Sequence, residues 1–453
     1  MTRAEAVALY QNGLEPTVAK LLELSAEKEQ LQQQLQQLRV SAQAGANENP
    51  VDPARPSAMT PAYEKPSSKG KRRKTPGRKP GHIGVRRKKP DHVDRVKEHK
   101  LERCPYCHTS LRGKHACETR SRYIEDLPQT QSVVVEHRIY RYYCRACDKL
   151  VEAPVTAALP NASIGLRTLV FAAWLHYGLG ITVTKITRIL NATAQFKVTA
   201  SGLFQAWYRL AEILKSAYHD ISQQAKASAV LSADETGWRV GGITHWLHCL
   251  CNQTLAFFGI ERSRGSPATK KLLGEFFRGI LVSDFWGGYN FIKTLAKQKC
   301  LVHLLRELVK TSLTNTTATW CAFSKKLTRL VRDAIRLRNR ADKLIPLVFE
   351  RRKARLKIRL QELIHGDNPD KDCKRLVKRL RRHLDELLTF LDHPEVDWHN
   401  NQAERQLRPA VVARKNSGGN HSDRGAETQA MMMTIFFTLQ LRGQDQVNTV
   451  IQM

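Results

Sequence analysis

Three acids and four cysteines carry the chemistry in this 453-residue sequence. Asp234 sits in the apolar run SAVLSADETGWRV and Asp284 near the end of GILVSDFWGGY. Apolar strands stopping at each would expose both carboxylates at strand ends, where ligands and metals sit when a sheet is flanked by helices. Asp also forms turns at strand ends, so two acids alone decide little. Glu404 is the third, in WHNNQAERQLRPAVVARKNSGGN at 398–420. It shares a helix face with Arg408 at i, i+4, which a surface ion pair would also explain. The density of Asn400, Asn401, Arg405, Arg408, Arg414, Lys415 and Asn416 is more than helix packing needs.

Cys104, Cys107, Cys144 and Cys147 form two C-x-x-C pairs, whereas Cys117, Cys249, Cys251, Cys300, Cys321 and Cys373 do not pair this way. In a reducing compartment such pairs are metal ligands rather than disulfides. Two knuckle turns brought together by a hairpin in TQSVVVEHRIYRYYC would give a tetrahedral four-thiolate zinc site of zinc-ribbon type, structural because protein fills every position. The alternative is buried free cysteines, and His108 and Cys117 could substitute as ligands.

These groups need elements to position them. Three β-type runs, SAVLSADETGWRV, ITHWLHCLCN and TLAFFGIERS, predict a meander. A helix over PATKKLLGEFF and a strand ending at Asp284 follow. Residues 164–217 read as helices, with a short helix in VTKITRILN, a break at ATAQFKVT and a second helix opening at Ser201, as in a helix-turn-helix reader or any small bundle. Leucines on a 3-4 spacing over 17–40 predict a short coiled-coil seam or a docked amphipathic helix.

Charge indicates the partner. Lys and Arg number 74 against 42 Asp and Glu, a net +32, which points to a polyanion, with nucleic acid before an anionic membrane surface. No apolar run reaches the ~18 residues of a spanning helix, and the first residues resemble no secretory signal, so a cytoplasmic protein is expected. Residues 69–100 hold fourteen Lys and Arg against three acids, a net +11. This Gly/Pro-broken arm, with Arg78, Lys79, Arg86, Arg87, Lys88 and Lys89, would lie along phosphates. Residues 311–390 hold 21 basic and nine acidic residues, a net +12, in long helical runs with too few acids to pair them.

ADETGW, SDFWGGY, CLVHLLREL at 300–308 and HNNQAERQLRPAVVARKNSGGNHSDRGAE at 399–427 resemble the IS66 family of insertion-sequence transposases. GRKPGH at 77–82, CPYC…CRAC and the N-terminal Leu/Gln-rich helix extend the resemblance over most of the chain. It implies a DDE transposase with catalytic Asp234, Asp284 and Glu404. Two Mg²⁺ (or Mn²⁺) ions about 3.5–4 Å apart would serve in-line phosphodiester chemistry. Asp234 would bridge both ions, Asp284 hold one and Glu404 the other. Glu235, Asp423 and Glu427 are the local rivals. His303, Arg306, Arg405, Arg408, Arg414 and Lys415 would contact DNA or support the site.

The implied fold is multidomain α/β. A coiled-coil segment (1–42), a linker with the basic arm (43–98), a zinc-binding domain (99–155) and a helix-turn-helix-like domain (156–224) lead into an RNase H-like core. Its first part (225–310) and second part with a C-terminal helix (393–453) flank a basic helical insertion (311–392). The partners would be terminal inverted repeats, target DNA, further copies of the chain and accessory proteins of the same element, without a membrane. A stand-alone nuclease of this fold and a decayed zinc-containing DNA-binding protein are the rival functions.

Overall fold

Period-two alternation and β-branched or aromatic residues make the segment after residue 228 a sheet, and a computed structural model gives its topology. The structure describes residues 89–126, 131–366 and 368–453, with isolated positions between 13 and 34. Residues 69–88 of the expected basic arm, including Arg78, Lys79, Arg86, Arg87 and Lys88, lie outside the described residues, as does most of the N-terminal helix. Lys89 is exposed, its Nζ 5.8 Å from the Tyr123 ring centroid. The described chain forms two compact units, one comprising chiefly Thr156–Thr182 and Leu203–Met453, the other Ser67–Val155 with Val183–Gly202.

In the smaller unit, β1 (Arg141–Cys144) pairs antiparallel with β2 (Lys149–Glu152). The hairpin therefore wraps the second cysteine knuckle, whereas 131–140 was expected to form part of it and is not strand. Helix α2 (Val183–Ala194) belongs here too.

The larger unit starts with α1 (Leu166–Ala173), extended by a π turn at Trp174–Gly178, and continues through α3 (Ala200–Ile213) and α4 (Lys215–Lys226). Its sheet holds β3 (Val230–Val240), β4 (Ile243–Cys251), β5 (Ala256–Glu261), β6 (Phe276–Ser283) and β7 (Lys293–Lys299) in the order β5-β4-β3-β6-β7. The first three form the expected antiparallel meander; β6 and β7 then add parallel to β3. Helix α5 (Ser266–Leu273) precedes β6. It stops short of the predicted GEFF because Gly274, at φ 91°, turns the chain into the strand.

Helix α6 (Leu301–Thr314) leads to the basic segment, which folds as α7 (Ala318–Arg338), α8 (Pro346–His365) and α9 (Lys371–Arg382). The last is shorter than its run suggested, and two 3₁₀ turns replace its end. These helices share one core with β6: Ile280 and Val282 are buried beside Leu304, Trp320, Leu327 and Leu376. The chain ends in α10 (Asn401–Ser417), α11 (Asp423–Leu441) and α12 (Gln446–Gln452). Helix α11 is apolar around most of its circumference and lies on the sheet, where Thr434 and Thr438 accept hydrogen bonds from the Phe258 and Ala256 amides. No described helix is long and apolar enough to cross a membrane.

Candidate active site

Asp284 follows β6 directly, as expected. Asp234 does not end its strand, because β3 continues to Val240 against β4. What ends there is the other pairing: the parallel ladder between β3 and β6 stops at Ala233 and Ser283. Asp234 and Asp284 are thus the next residues on two central strands as the strands part, which opens a crevice at their carboxyl ends.

Glu404 arrives from the far side of the insertion, in the first turn of α10. Asn400 caps that helix while its Nδ2 donates to the Ala233 carbonyl at 2.8 Å, one residue before Asp234. The Leu301 amide donates to the Trp398 carbonyl at 3.0 Å, and the Cys300 amide to the Ser283 carbonyl at 2.8 Å. Two loops and two helix starts are thereby tied to the ends of β3 and β6. The buried Lys299 adds a bond from Nζ to Ser283 Oγ at 3.1 Å. Burial lowers the Lys299 pKa, against the opposing charges of Glu386 and Asp284.

The structure brings Asp234, Asp284 and Glu404 together. Burial, then the charges of Glu235, Asp284 and Glu404, hold the Asp234 pKa well above the usual carboxylate range, opposed by the Glu235 amide at 3.0 Å. Asp284 accepts from the Trp286 amide at 2.9 Å. Glu404 Oε1 is buried without a hydrogen-bond partner. Of the rivals, Glu235 faces the other side of the sheet; Asp423 and Glu427 are exposed on α11, beyond Gly418 and Gly419.

The expected cations divide by place. His303 Nε2 lies 3.8 Å from Glu404 Oε1 and Arg306 Nη1 3.6 Å from Oε2. Arg405, Arg408 and Lys415 are exposed on α10. Arg414 turns inward and donates to the Gly237 carbonyl, which fastens α10 across β3. The SGGN motif does related work. Gly419, at φ 111°, brings the chain against β3 so closely that a Cβ there would lie 2.3 Å from the Arg239 carbonyl oxygen. Asn420 then bonds Arg239 and Gly241 through its backbone and accepts from Trp238 Nε1 at 2.7 Å.

Both cysteine pairs form the same turn. The residue after each second cysteine, His108 or Asp148, has positive φ (57° and 53°). The Cys104 carbonyl accepts from the His108 amide at 2.9 Å, closing the first knuckle. Hydrogen bonding to Thr109, reinforced by Cys104, brings the Cys107 thiol down to about 7. Cys144 is lowered chiefly by hydrogen bonds with Cys147. Each pair therefore presents its two thiols on one tight turn. Among the described residues, however, the one trio of His, Cys, Asp or Glu ligand atoms gathered within 4.8 Å is Cys300, His303 and Glu404. The sequence gives Asn400 a place only in the polar stretch around Glu404 and gives Cys300 and Lys299 no part in this site; the C-x-x-H spacing of Cys300 and His303 is the available signal.

A mixed sheet with a carboxylate cluster where its two central strands part defines an α/β protein with an acidic crevice. The chain belongs to the IS66 transposase family, whose family model matches residues 162–428, more than half its length. That match contains Asp234, Asp284 and Glu404 and excludes the four knuckle cysteines. A 72-residue stretch, 16% of this chain, is 38% identical to the uncharacterized protein y4jO of Sinorhizobium fredii, and the match spans only 22% of that relative.

Proposed function

We propose that this protein is a DNA transposase that cuts phosphodiester bonds at the terminal inverted repeats of its own element and joins the 3′ ends to target DNA. The convergence of Asp234, Asp284 and Glu404 carries this reading. They are separated by long stretches of sequence, yet they meet beside strands whose order, a meander extended by two parallel strands, supports an RNase H-like core. The cluster fits divalent cations: Asp234 is surrounded by other carboxylates, and Glu404 keeps a buried acceptor oxygen unused. Two Mg²⁺ (or Mn²⁺) ions supply Lewis acidity and activate the attacking water or 3′-OH. Asp234, Asp284 and Glu404 would hold the ions through their carboxylate oxygens.

The surrounding residues hold the DNA. His303 and Arg306 flank Glu404 and steady the scissile phosphate; Arg405, Arg408 and Lys415 receive the backbone along exposed α10, and Arg414 keeps that helix on β3. The insertion and the basic arm at 69–100 add sequence-independent grip. The knuckle cysteines hold a structural Zn²⁺, the helices around the break at 195–199 read the repeats, and the N-terminal helix joins copies of the chain. Accessory proteins of the element assist, and the work is done in the bacterial cytoplasm. The test uses a labelled inverted-repeat duplex and a target plasmid. Asp234→Asn should abolish Mg²⁺-dependent cleavage and leave DNA affinity intact; retained cleavage overturns the assignment. Cleavage without joining would make the protein a nuclease.

A further inference from the structure

Cys300 and His303 stand one helical turn apart at the start of α6, the cysteine as its N-cap. A spacing of three residues at a helix start puts both side chains on one face. Opposite them is Glu404, in the first turn of α10. One ligand atom from each of the three lies within 4.8 Å of the others. His303 Nε2 and Glu404 Oε1 are already 3.8 Å apart. Metal bonds of about 2.0–2.3 Å at tetrahedral angles place ligand atoms ~3.5 Å apart, so the trio needs only to close slightly.

Glu404 Oε1, the atom nearest His303 Nε2, is buried and has no hydrogen-bond partner. Buried polar atoms are seldom left unpaired unless something else occupies them. Burial pushes the Cys300 thiol up to about 11, and the Asn400 amide, donating to Sγ at 3.2 Å, works against that rise. A backbone N–H on sulfur stabilises a thiolate and orients it, as outer-shell partners do at metal sites.

We propose that Cys300, His303 and Glu404 form a binding site for Zn²⁺, with a fourth position open to water. The donor set decides the metal. One sulfur, one imidazole nitrogen and one carboxylate oxygen suit a borderline-soft cation, whereas Mg²⁺ takes oxygen ligands and keeps its waters. Binding exchanges the thiol proton for the metal: Zn²⁺ and the Cys300 thiol give a zinc thiolate, and the proton passes to the buffer. Arg306, half-exposed and 3.6 Å from Glu404 Oε2, swings outward as the cation takes over its charge. The site shares Glu404 with the proposed magnesium centre, so zinc withdraws a ligand from catalysis and inhibits it. Only this last consequence rests on the transposase reading.

The experiment measures Zn²⁺ bound per full-length chain at buffered free zinc, in wild type, Cys300→Ser and His303→Ala. The knuckle cysteines are intact in all three, so the difference isolates this site. Wild type should bind one further equivalent. Each variant should weaken that equivalent by more than the roughly 10–100-fold that loss of an outer-shell partner costs. His303 is partly exposed, so its variant guards against misfolding of Cys300→Ser. Equal zinc uptake by all three proteins overturns the proposal, whether or not the protein cleaves DNA. Where wild type cleaves in Mg²⁺, each protein is compared with its own zinc-free rate. Zinc should inhibit wild type at least tenfold more strongly than either variant, and equal inhibition overturns the shared role of Glu404. A wild type that binds the extra zinc but never cleaves refutes the transposase reading alone.

Discussion

Asp234 and Glu235 are neighbours on β3 facing opposite sides of the sheet, and the fold treats their charges in opposite ways. Glu235 is buried and has a cation built in: Arg264 Nε donates at 2.8 Å and the Tyr289 hydroxyl at 2.5 Å. The guanidinium is held between rings, 3.9 Å from the Trp286 centroid and 4.8 Å from that of Trp246. Asp234 faces Asp284 and Glu404, and the groups acting on it are burial, other carboxylates and one amide. A carboxylate that brings its own cation fastens the fold, and one that does not is the one proposed above to take a cation from outside. The insertion repeats the contrast in positive charge. Arg375 and Arg379 both bind Glu307, whereas Lys325, Arg329 and Arg332 lie exposed along one face of α7.

Exchanging the two acids for their amides breaks this comparison most directly. Asp234→Asn should cost cleavage on the order of a thousandfold or more, the scale for a group acting in the transition state. Removing repulsion should also raise the melting temperature of the metal-free protein, while Mg²⁺ should stabilise only wild type. Glu235→Gln should do the reverse. It removes one partner of the buried Glu235–Arg264 pair, a loss of about 3–5 kcal/mol, read as a lower urea midpoint with cleavage retained below that midpoint. If Glu235→Gln removed cleavage from a stably folded protein, the two faces would have been assigned the wrong way round.

The pH dependence shows what the two acids share. Burial first, then Asp284, raise Glu235 to about 7 despite Arg264 and Tyr289, and burial with the neighbouring carboxylates holds Asp234 well above its ordinary value. In both, the folded state keeps a proton that the unfolded chain has released. The stabilisation is complete below the unfolded value of about 4 and is lost as pH rises through the folded pKa. In EDTA, the urea midpoint of wild type should therefore fall between pH 5 and pH 8. Asp234→Asn should flatten the fall, and Mg²⁺ should offset it at the upper end.

How far this site could be read from the chain follows from the physics of each piece. The meander was legible because its alternation is local, and Asp284 because an apolar run visibly stops there. Asp234 was placed at a strand end for the same reason, wrongly, because a strand with two neighbours can lose one partner and keep the other. That event lies in the register between β3 and β6, and no local pattern records it. Gly419 was visible as part of a Gly-rich stretch, but its need for a missing Cβ comes from Arg239, far away in sequence. The buried Lys299 likewise reads as one more cation until the fold places Ser283 and Glu386 beside it. Long-range partners convert an ordinary residue into a site residue, and composition cannot supply them.

The smallest expected effect concerns the cations of α7, and it is informative because stability should not move. Lys325, Arg329 and Arg332 recur at i, i+4 and i+7, so they form one stripe. A stripe that pairs with no acid among the described residues fits a phosphate backbone, where each contact releases counterions and steepens the dependence of log K on log salt by about 0.9. Single changes to Gln should each flatten that slope by roughly one contact and weaken binding uniformly across sequences. Their unfolding free energy should stay within about 0.5 kcal/mol of wild type, as for exposed positions generally. Arg379→Gln is the matched control: its charge is spent on Glu307, so it should cost about 1–3 kcal/mol of stability and leave the salt slope unchanged. If the slope fell equally in both kinds of variant, pairing within the fold would not be what separates the charges that hold this protein together from those it offers to DNA.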